Sequence, residues 1–281
     1  MKEPKKTTRE ERLEGLVHGK VMRNHRGQYL LIQRALSDIE PTPGVECVRK
    51  GMPNLKIGQA AREFPFAHLQ RNVREKMLFW DIETCGSDYS APIISIAGLS
   101  LNLGAGQQPV ARLFEFFARN PCEEPGIIKA FLEIVPNYDH FFTYNGESFD
   151  NHRLTWRALA NRIPLDSHYH SKLSEVIPSP EKHTDLYHIV RERLGKDRII
   201  DGRAKTAEIA IWDYRRTDDI GGAQIGNAYL EYLGMKKTTK DEKELRLDVA
   251  RIIEHNLLDV IACGGIFTKL CLDGNLSRTK T

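Results

Sequence analysis

An apolar run that ends in two closely spaced carboxylates constrains this chain more than any other feature. The run extends from Met77 to Trp80, and Asp81 and Glu83 follow it with Ile82 between them. Because successive side chains alternate between the two faces of a β-strand, the two carboxylates share one face. The apolar residues before them predict a strand buried on both sides, in the middle of an α/β sheet. Two carboxylates at the end of such a strand repel each other, and a divalent cation is the usual compensation.

A strand that simply ends in a solvated polar turn gives the same Asp-x-Glu pattern. The choice between a metal site and such a turn therefore depends on the rest of the chain. Its 281 residues are 41% hydrophobic, enough for one large domain or a domain with an appendage. No run approaches the ~18 apolar residues of a membrane span, and no apolar stretch follows the N-terminus as in a signal peptide. The five cysteines are scattered without a Cys-x-x-Cys pair, which argues against a disulfide framework and a cysteine zinc site. We therefore expect a cytoplasmic protein without a membrane-bound part.

Charge is distributed unevenly along the chain. Residues 1–76 hold 16 Lys+Arg and 9 Asp+Glu, a net of +7, which leaves 25 and 29 for residues 77–281, a net of −4. A basic segment joined to a mildly acidic body is typical of a protein with a polyanionic partner whose acidic part holds metal. A solvated basic tail would give the same distribution.

The N-terminal segment, residues 1–76, is predicted to be only partly structured. Two short strand-like runs flank a Gly-containing turn at residues 24–27 and predict a β-hairpin. The prolines and glycines of residues 36–58 predict a loop, and the charged residues 1–15 predict disorder or a frayed helix. The basic stretch 62–76 contains aromatic side chains, which could stack on nucleic acid or pack on the body of the protein.

The remaining chain predicts a mixed β-sheet covered by helices, an α/β fold, over residues 77–275, with a disordered tail at 276–281. Three strands joined by short connections form a meander, and a helix that starts near Glu123 follows them. A strand over His140–Tyr144 comes next, and the last third is helical, ending in a long helix from Asp241 to about Leu272.

Three further side chains have reasons to join the first two carboxylates. Asp150 lies just after a strand, where α/β sheets present functional groups. His255 and Asp259 are spaced i, i+4 on the long helix and therefore share a face. Two metal ions held by Asp81, Glu83, Asp150 and Asp259 could activate a water and stabilise a leaving oxygen in phosphodiester hydrolysis, and a histidine could take the proton of that water.

With these motifs the sequence resembles the DnaQ-like, or DEDD, 3′→5′ exonucleases of the ribonuclease H-like superfamily. Phe79–Thr84 resembles their first motif, Tyr144–Asp150 their second and His255–Asp259 their third. The resemblance is greatest to the YprB-type ribonuclease H-like domain, whose pattern is also visible in His183–Leu186 and Thr217–Gly222. The third motif has the spacing His-x-x-x-Asp, whereas DnaQ-type enzymes usually have His-x-x-x-x-Asp and the tyrosine branch has Tyr-x-x-x-Asp.

The resemblance implies a metal-dependent nuclease that acts on single-stranded DNA or RNA with two Mg²⁺ or Mn²⁺ ions. It implies that Asp81, Glu83, Asp150 and Asp259 are the metal carboxylates and that His255 is the general base. It assigns Thr84 and Asn145 to substrate binding, with Asn145 also supporting the second motif.

Other interpretations remain open from the sequence. The rival function is a nucleic-acid-binding module that has kept the fold without useful turnover, against which the complete set of four carboxylates argues. A zinc-dependent hydrolase is a third class. Asp185 either lies near the site or caps a helix. Asp218 and Asp219 indicate a turn. Three basic side chains either line a path for the phosphate backbone or are solvated. The zinc hypothesis would use His168, His170, His183 and His188, and the three cations are Arg198, Arg203 and Lys205.

Overall fold

The computed structural model describes residues 12–51, 76–102, 110–164 and 182–273. Seven strands in these ranges form one mixed sheet in the order β1-β2-β5-β4-β3-β6-β7. The strands are β1 (Lys20–Asn24), β2 (Gly27–Arg34), β3 (Lys76–Thr84), β4 (Ile93–Asn102), β5 (Val110–Phe117), β6 (His140–Thr143) and β7 (His183–Asp185). The helices are α1 (Leu13–Leu16), α2 (Pro43–Gly51), α3 (Glu124–Ile134), α4 (Asp150–Ala160), α5 (Leu186–Leu194), α6 (Ala204–Trp212), α7 (Gly222–Tyr232) and α8 (Glu242–Asp273).

The predicted central strand is β3, which pairs antiparallel with β4 and parallel with β6. Strand β5 continues the antiparallel meander beyond β4, and β7 extends the parallel part beyond β6. Helices cover both faces of the sheet, which confirms the predicted α/β class. Strand β3 pairs with β4 from Lys76 to Thr84 and with β6 from Met77 to Phe79, so most of its buried apolar part has a neighbouring strand on each side.

Alternate residues of β3 enter two different cores. Phe79 belongs to the face covered by α8, where its ring centroid lies 5.4 Å from that of Phe267. Trp80 belongs to the opposite face and packs on Phe131 of α3, with 5.1 Å between ring centroids. The residues that follow Phe79 at period two therefore point towards α8, and they include both carboxylates of the first motif.

Helix α8 is the core helix of one face. By length and composition alone it is the one helix among the described residues that could cross a membrane, although the sequence showed no uninterrupted apolar run of that size. Within the protein, 78% of its most apolar stretch is buried. It contacts β3, β4, β5 and β6 as well as α2 and α7, so its apolar surface is used inside the fold.

The N-terminal hairpin is part of the same sheet. Strands β1 and β2 pair antiparallel, and β2 also pairs antiparallel with β5. Arg34 at the end of β2 forms an ion pair with Glu254 of α8, with 2.7 Å between Nη1 and Oε2. The domain boundary expected at residue 76 stays a prediction, and hydrogen bonds between strands connect the two sides of it.

The loop predicted over residues 36–58 is wrong in its central part, where α2 runs from Pro43 to Gly51. Proline is compatible with the first position of a helix because the nitrogen there needs no helical partner. Gly44 serves close packing instead of a turn: a Cβ added to Gly265 of α8 would lie 2.7 Å from the Cα of Gly44. The glycines therefore let α2 and α8 approach closely, a use that the sequence pattern does not distinguish from a turn.

Several other predictions fall outside the described residues. They concern residues 1–11, the basic aromatic stretch up to residue 75, the turn at residues 104–106 and the tail after residue 273. The predicted meander, the helix near Glu123, the strand at His140 and the long C-terminal helix are confirmed, with ends that differ by a few residues.

Candidate active site

The two carboxylates of β3 face α8 at the C-terminal end of the strand. Asp81 pairs in register with Ala97 of β4, and Glu83 pairs with Ser95. Both continue the row of side chains that begins with the buried residues of the α8 face. The period-two prediction is therefore confirmed in its geometry: Asp81 and Glu83 lie on one face, beside the helix that carries the third motif.

Asp150 is the first residue of α4 and is 3% exposed. Its Oδ1 accepts a hydrogen bond of 3.3 Å from the backbone N–H of Ile82, which ties the start of α4 to β3 between the two strand carboxylates. The turn before it needs glycine, since a Cβ on Gly146 would lie 2.6 Å from Asp150 Oδ2 and 2.5 Å from Thr143 Cβ.

The loop before α4 is held from the neighbouring strand. Asn145 has a φ of 67°, in the left-handed region that asparagine tolerates better than most residues. Asp185 accepts hydrogen bonds from the backbone N–H groups of Asn145 at 2.7 Å and Glu147 at 3.0 Å. It also caps α5 by accepting from Tyr187 N at 3.0 Å. Both interpretations of Asp185 are therefore correct, because one side chain caps a helix and fixes the loop of the second motif.

Helix α8 brings His255 and Asp259 to the same point. His255 Nε2 lies 3.4 Å from Glu83 Oε1 and 3.6 Å from Asp259 Oδ2. The other ring nitrogen, Nδ1, lies 2.5 Å from Asp219 Oδ1. Asp219 was interpreted as part of a turn, but its carboxylate is almost fully buried and fixes the orientation of the imidazole. The only sequence signal for it was the Thr217–Gly222 pattern in the family resemblance.

The carboxylates around His255 keep its ring protonated near neutral pH. Burial lowers the pKa of His255, but Asp259, Asp219 and Glu83 together outweigh burial and raise that pKa to about 9. The hydrogen bond from His255 in turn keeps the pKa of Asp219 below its usual value, although burial opposes this. The imidazolium is therefore an internal counter-ion of the acidic cluster.

One imidazolium does not neutralise the cluster. Burial is the main cause that raises the pKa of Glu83 to about 8, and neighbouring carboxylates add to it. Burial also raises the pKa of Asp81 well above its usual value, with Asp150 and Asp259 as the next causes, and burial does the same for Asp150. These carboxyl groups retain protons because too little positive charge surrounds them. A bound cation would supply that charge and replace the protons.

The donor set fits a hard divalent cation. Ligand atoms of Glu83, His255 and Asp259 lie within 4.8 Å of one another, and Asp81 and Asp150 carry carboxylates beside them. Oxygen-rich sets of this kind suit Mg²⁺, Mn²⁺ or Ca²⁺, whereas zinc prefers sulfur and nitrogen ligands.

A buried arginine that sequence reasoning missed contacts the same cluster. The side chain of Arg216 is 2% exposed, and its Nη1 lies 2.6 Å from Asp259 Oδ1, at a distance for an ion pair but without hydrogen-bond alignment. Its Nε donates to Glu208 Oε2 at 2.7 Å. Burial raises the pKa of Glu208 to about 7 although Arg216 opposes this. Nothing in the sequence around Arg216 and Glu208 indicated this pair.

The side chains surround a cavity of about 340 Å³. Of the seven residues predicted for the site, six line it. They are Asp81, Glu83, Asn145, Asp150, His255 and Asp259. Thr84 is the exception within the described part of the chain: its side chain follows Glu83 onto the other face of β3, and its hydroxyl donates to Gly86 O at 2.8 Å. The structure therefore gives no support for Thr84 in substrate binding.

Two of the three candidate cations reach the cavity wall. Arg203 and Lys205 line it, and Lys205 Nζ lies 3.9 Å from Asp219 Oδ2. Arg198 instead donates to the carbonyl of Ala210. The first two remain candidates for a phosphate contact, whereas Arg198 supports the local fold.

The histidines of the zinc hypothesis are not brought together in the described residues. His168 and His170 lie outside them. His183 shares a hydrogen bond of 2.9 Å with Thr143 Oγ1, and burial lowers its pKa to about 4. His188 lies 3.5 Å from Glu147, and both side chains are mostly exposed. His188 could hold a metal ion together with Glu147 and Asp185, but this group contains no second histidine of the zinc hypothesis.

A buried polar chain lies behind the site. Asn256, the neighbour of His255, is fully buried and donates Nδ2 to Ser95 Oγ at 2.8 Å. Ser95 in turn donates to Glu115 of β5, whose pKa is raised well above its usual value by burial. The chain connects α8 to β4 and β5 through side chains that do not line the cavity.

A protein-family model matches more than half of the chain. Residues 78–271 match the family model described as the RNase H superfamily. A search of curated proteins found no match. Among solved structures, the chain is similar to the family B DNA polymerase of the hyperthermophilic archaeon Pyrobaculum calidifontis, at 20% identity and a TM-score of 0.47. The match covers 70% of this chain and 24% of that polymerase chain, so the chain spans about a quarter of the length of that structure.

Proposed function

The chain belongs to the ribonuclease H superfamily, and from this premise we propose that it is a divalent-metal-dependent nuclease. In its specific form the proposal is a 3′→5′ exonuclease that acts on single strands with two Mg²⁺ or Mn²⁺ ions. The observation that carries it is the convergence of four carboxylates and an oriented imidazole on one cavity. The direction of degradation rests on the resemblance of the three motifs alone.

The acidic side chains have separate roles in this proposal. Asp81, Glu83, Asp150 and Asp259 would hold the cations, which would lower the pKa of a bound water and supply positive charge at the phosphate. His255 Nε2 would take a proton, and Asp219 would hold the ring by its Nδ1 so that Nε2 faces the cavity. His255 is protonated in the metal-free site. It can accept a proton only when bound cations neutralise the carboxylates in place of its own positive charge.

Aromatic side chains beside the cavity support a single-stranded substrate. Phe149 lines the cavity, and Arg153 lies 5.1 Å from its ring centroid and 4.6 Å from that of Tyr89. Arg153 is buried and donates to the carbonyls of Ser87 and Asp88, which fixes the loop that carries Tyr89.

The aromatic surface continues along α4. Trp156 is 60% exposed, and its spacing from Arg153 places it on the same helical face. Tyr89 is 58% exposed, so both rings are open to solvent. Exposed rings are suited to stacking on unpaired bases, worth about 1–3 kcal/mol per base, whereas a duplex offers no free base face.

The test of activity uses labelled single- and double-stranded DNA and RNA, each blocked at one end or the other, with Mg²⁺ or Mn²⁺ and with chelator. The wild type should degrade single strands from the unblocked 3′ end, and Asp81→Asn should abolish both cleavage and metal-induced stabilisation. Asp197→Asn, which changes an exposed aspartate, is the matched control and should behave as wild type. Full activity in excess chelator would refute the proposal.

The rival function, binding without turnover, makes a different prediction in the same experiment. It expects strand binding with no products under any metal condition. The aromatic surface is tested by binding of an unlabelled thymidine oligonucleotide to Tyr89→Ala and Trp156→Ala. We expect each to lose about 5–150-fold in affinity for single strands, while Met235→Ala, which removes another exposed apolar side chain, should lose none.

A further inference from the structure

The two oxygens of Asp259 have different surroundings. Oδ1 lies 2.6 Å from Arg216 Nη1, and Oδ2 lies 3.6 Å from His255 Nε2, whose ring also approaches Glu83. One oxygen therefore contacts the guanidinium of Arg216, and the other faces His255 at the cavity.

Arg216 is held where it is from its far side. Its Nε bonds to Glu208, and both side chains of this pair are 2% exposed. A buried guanidinium with carboxylates at two of its nitrogens has little freedom to move away, since leaving either partner would uncover a buried charge. Arg216 is therefore a permanent neighbour of Asp259.

We propose that Arg216, held by Glu208, keeps Asp259 Oδ1 away from the cation and so makes Asp259 a one-oxygen ligand through Oδ2. Mg²⁺ requires near-octahedral geometry and short bonds, whereas Ca²⁺ accepts more oxygens and two-oxygen carboxylates. Arg216 is thus a positioning residue that gives the site its preference for the smaller ion. The inference rests on the proposed metal site.

The test replaces both members of the pair, Arg216→Met with Glu208→Gln. The double exchange leaves the net charge of the cluster unchanged at pH 8 and leaves neither member unpaired, so it alters geometry more than charge. Arg157→Met with Glu124→Gln is the control because it removes another Arg–Glu ion pair, one that does not contact Asp259. Binding of Mg²⁺ and of Ca²⁺ is measured by calorimetry, with melting temperatures recorded alongside.

We expect the double variant to lose about 10–100-fold in Mg²⁺ affinity, the usual effect of removing a partner of a metal ligand, and to lose less for Ca²⁺. Its Ca²⁺/Mg²⁺ preference should therefore rise, while the control stays near wild type. If the double variant does not fold, Arg216→Lys should shift the preference in the same direction, because an ammonium cannot hold both carboxylates as a guanidinium does. An unchanged preference in a folded variant overturns this inference alone, and a wild type that binds neither ion overturns the proposed function as well.

Discussion

The protonated acidic cluster predicts that the metal-free protein loses stability as pH rises from 7 to 8. In the folded state Glu83 and His255 titrate near 8 and 9. In the unfolded chain a glutamate is ionised and a histidine mostly neutral over this range. The folded state therefore binds more protons than the unfolded state. For both groups the folded pKa is raised, so the stability that they contribute is lost as pH rises towards the folded pKa.

The size of the effect follows from the proton count. Between pH 7 and 8 the two groups hold about 1.5 protons more in the folded state than in the unfolded state, and each is worth about 1.4 kcal/mol per pH unit. The free energy of unfolding should thus fall by about 2 kcal/mol, which corresponds to a melting temperature lower by about 4–8 °C for a domain of this size. His183, with its pKa lowered to about 4, does not change charge in this window, whereas Glu208, whose pKa burial raises to about 7, adds a smaller decrease of the same sign.

The assay is thermal unfolding at pH 7, 7.5 and 8 in excess chelator. Glu83→Gln combined with His255→Asn should remove most of the slope, while Glu147→Gln, which changes an exposed carboxylate, should keep it. Saturating Mn²⁺ should remove the decrease in the wild type, because bound cations keep the carboxylates ionised in the folded state. A melting temperature that stays constant or rises with pH in chelator would refute the assignment of extra protons to this cluster.

Two further predictions follow from the contacts of α8. His255→Asn should lower single-turnover cleavage by ~10²–10⁴-fold while metal binding stays nearly intact. Asp219→Asn should shift the rise of the cleavage rate with pH to lower pH, because the pKa of His255 falls when the carboxylate at Nδ1 is lost. Cleavage that neither change affects would remove this pair from the mechanism. Gly265→Ala should destabilise the protein by about 1–3 kcal/mol, since its Cβ would meet the backbone of α2, whereas Gly222→Ala, with nothing within 4 Å, should not; equal melting temperatures would contradict the close helix contact.

Local periodicity was enough to predict the motif-bearing elements. Asp81 and Glu83 are two residues apart on a strand, and His255 and Asp259 are four residues apart on a helix. In each pair the local periodicity of the element alone places both side chains on one face. The position of Asp150 after β6 follows from the general habit of α/β sheets to present side chains at strand ends. These predictions needed no knowledge of which elements pack together.

The supporting residues depend on packing and could not be predicted in the same way. Asp219 and Arg216 reach α8 only because the connection between α6 and α7 folds back over it, and no local pattern records that path. Pro43 and Gly44 were misinterpreted for the related reason that glycine serves close approach as well as turns. Thr84 was assigned by motif position, yet strand alternation already places it on the face opposite Glu83.

The buried polar chain of Asn256, Ser95 and Glu115 decides how α8 is docked. The helix is apolar over most of its circumference, so apolar contacts alone would permit several rotations of similar energy. A shift of one residue turns a helix by about 100°. Such a turn would part Asn256 from Ser95 and leave buried polar groups unpaired, at about 1–3 kcal/mol each. The hydrogen bonds between the Asn256 amide, the Ser95 hydroxyl and the Glu115 carboxyl group therefore favour one rotation of α8 over the neighbouring ones. In this way a polar contact outside the cavity determines where His255 and Asp259 point.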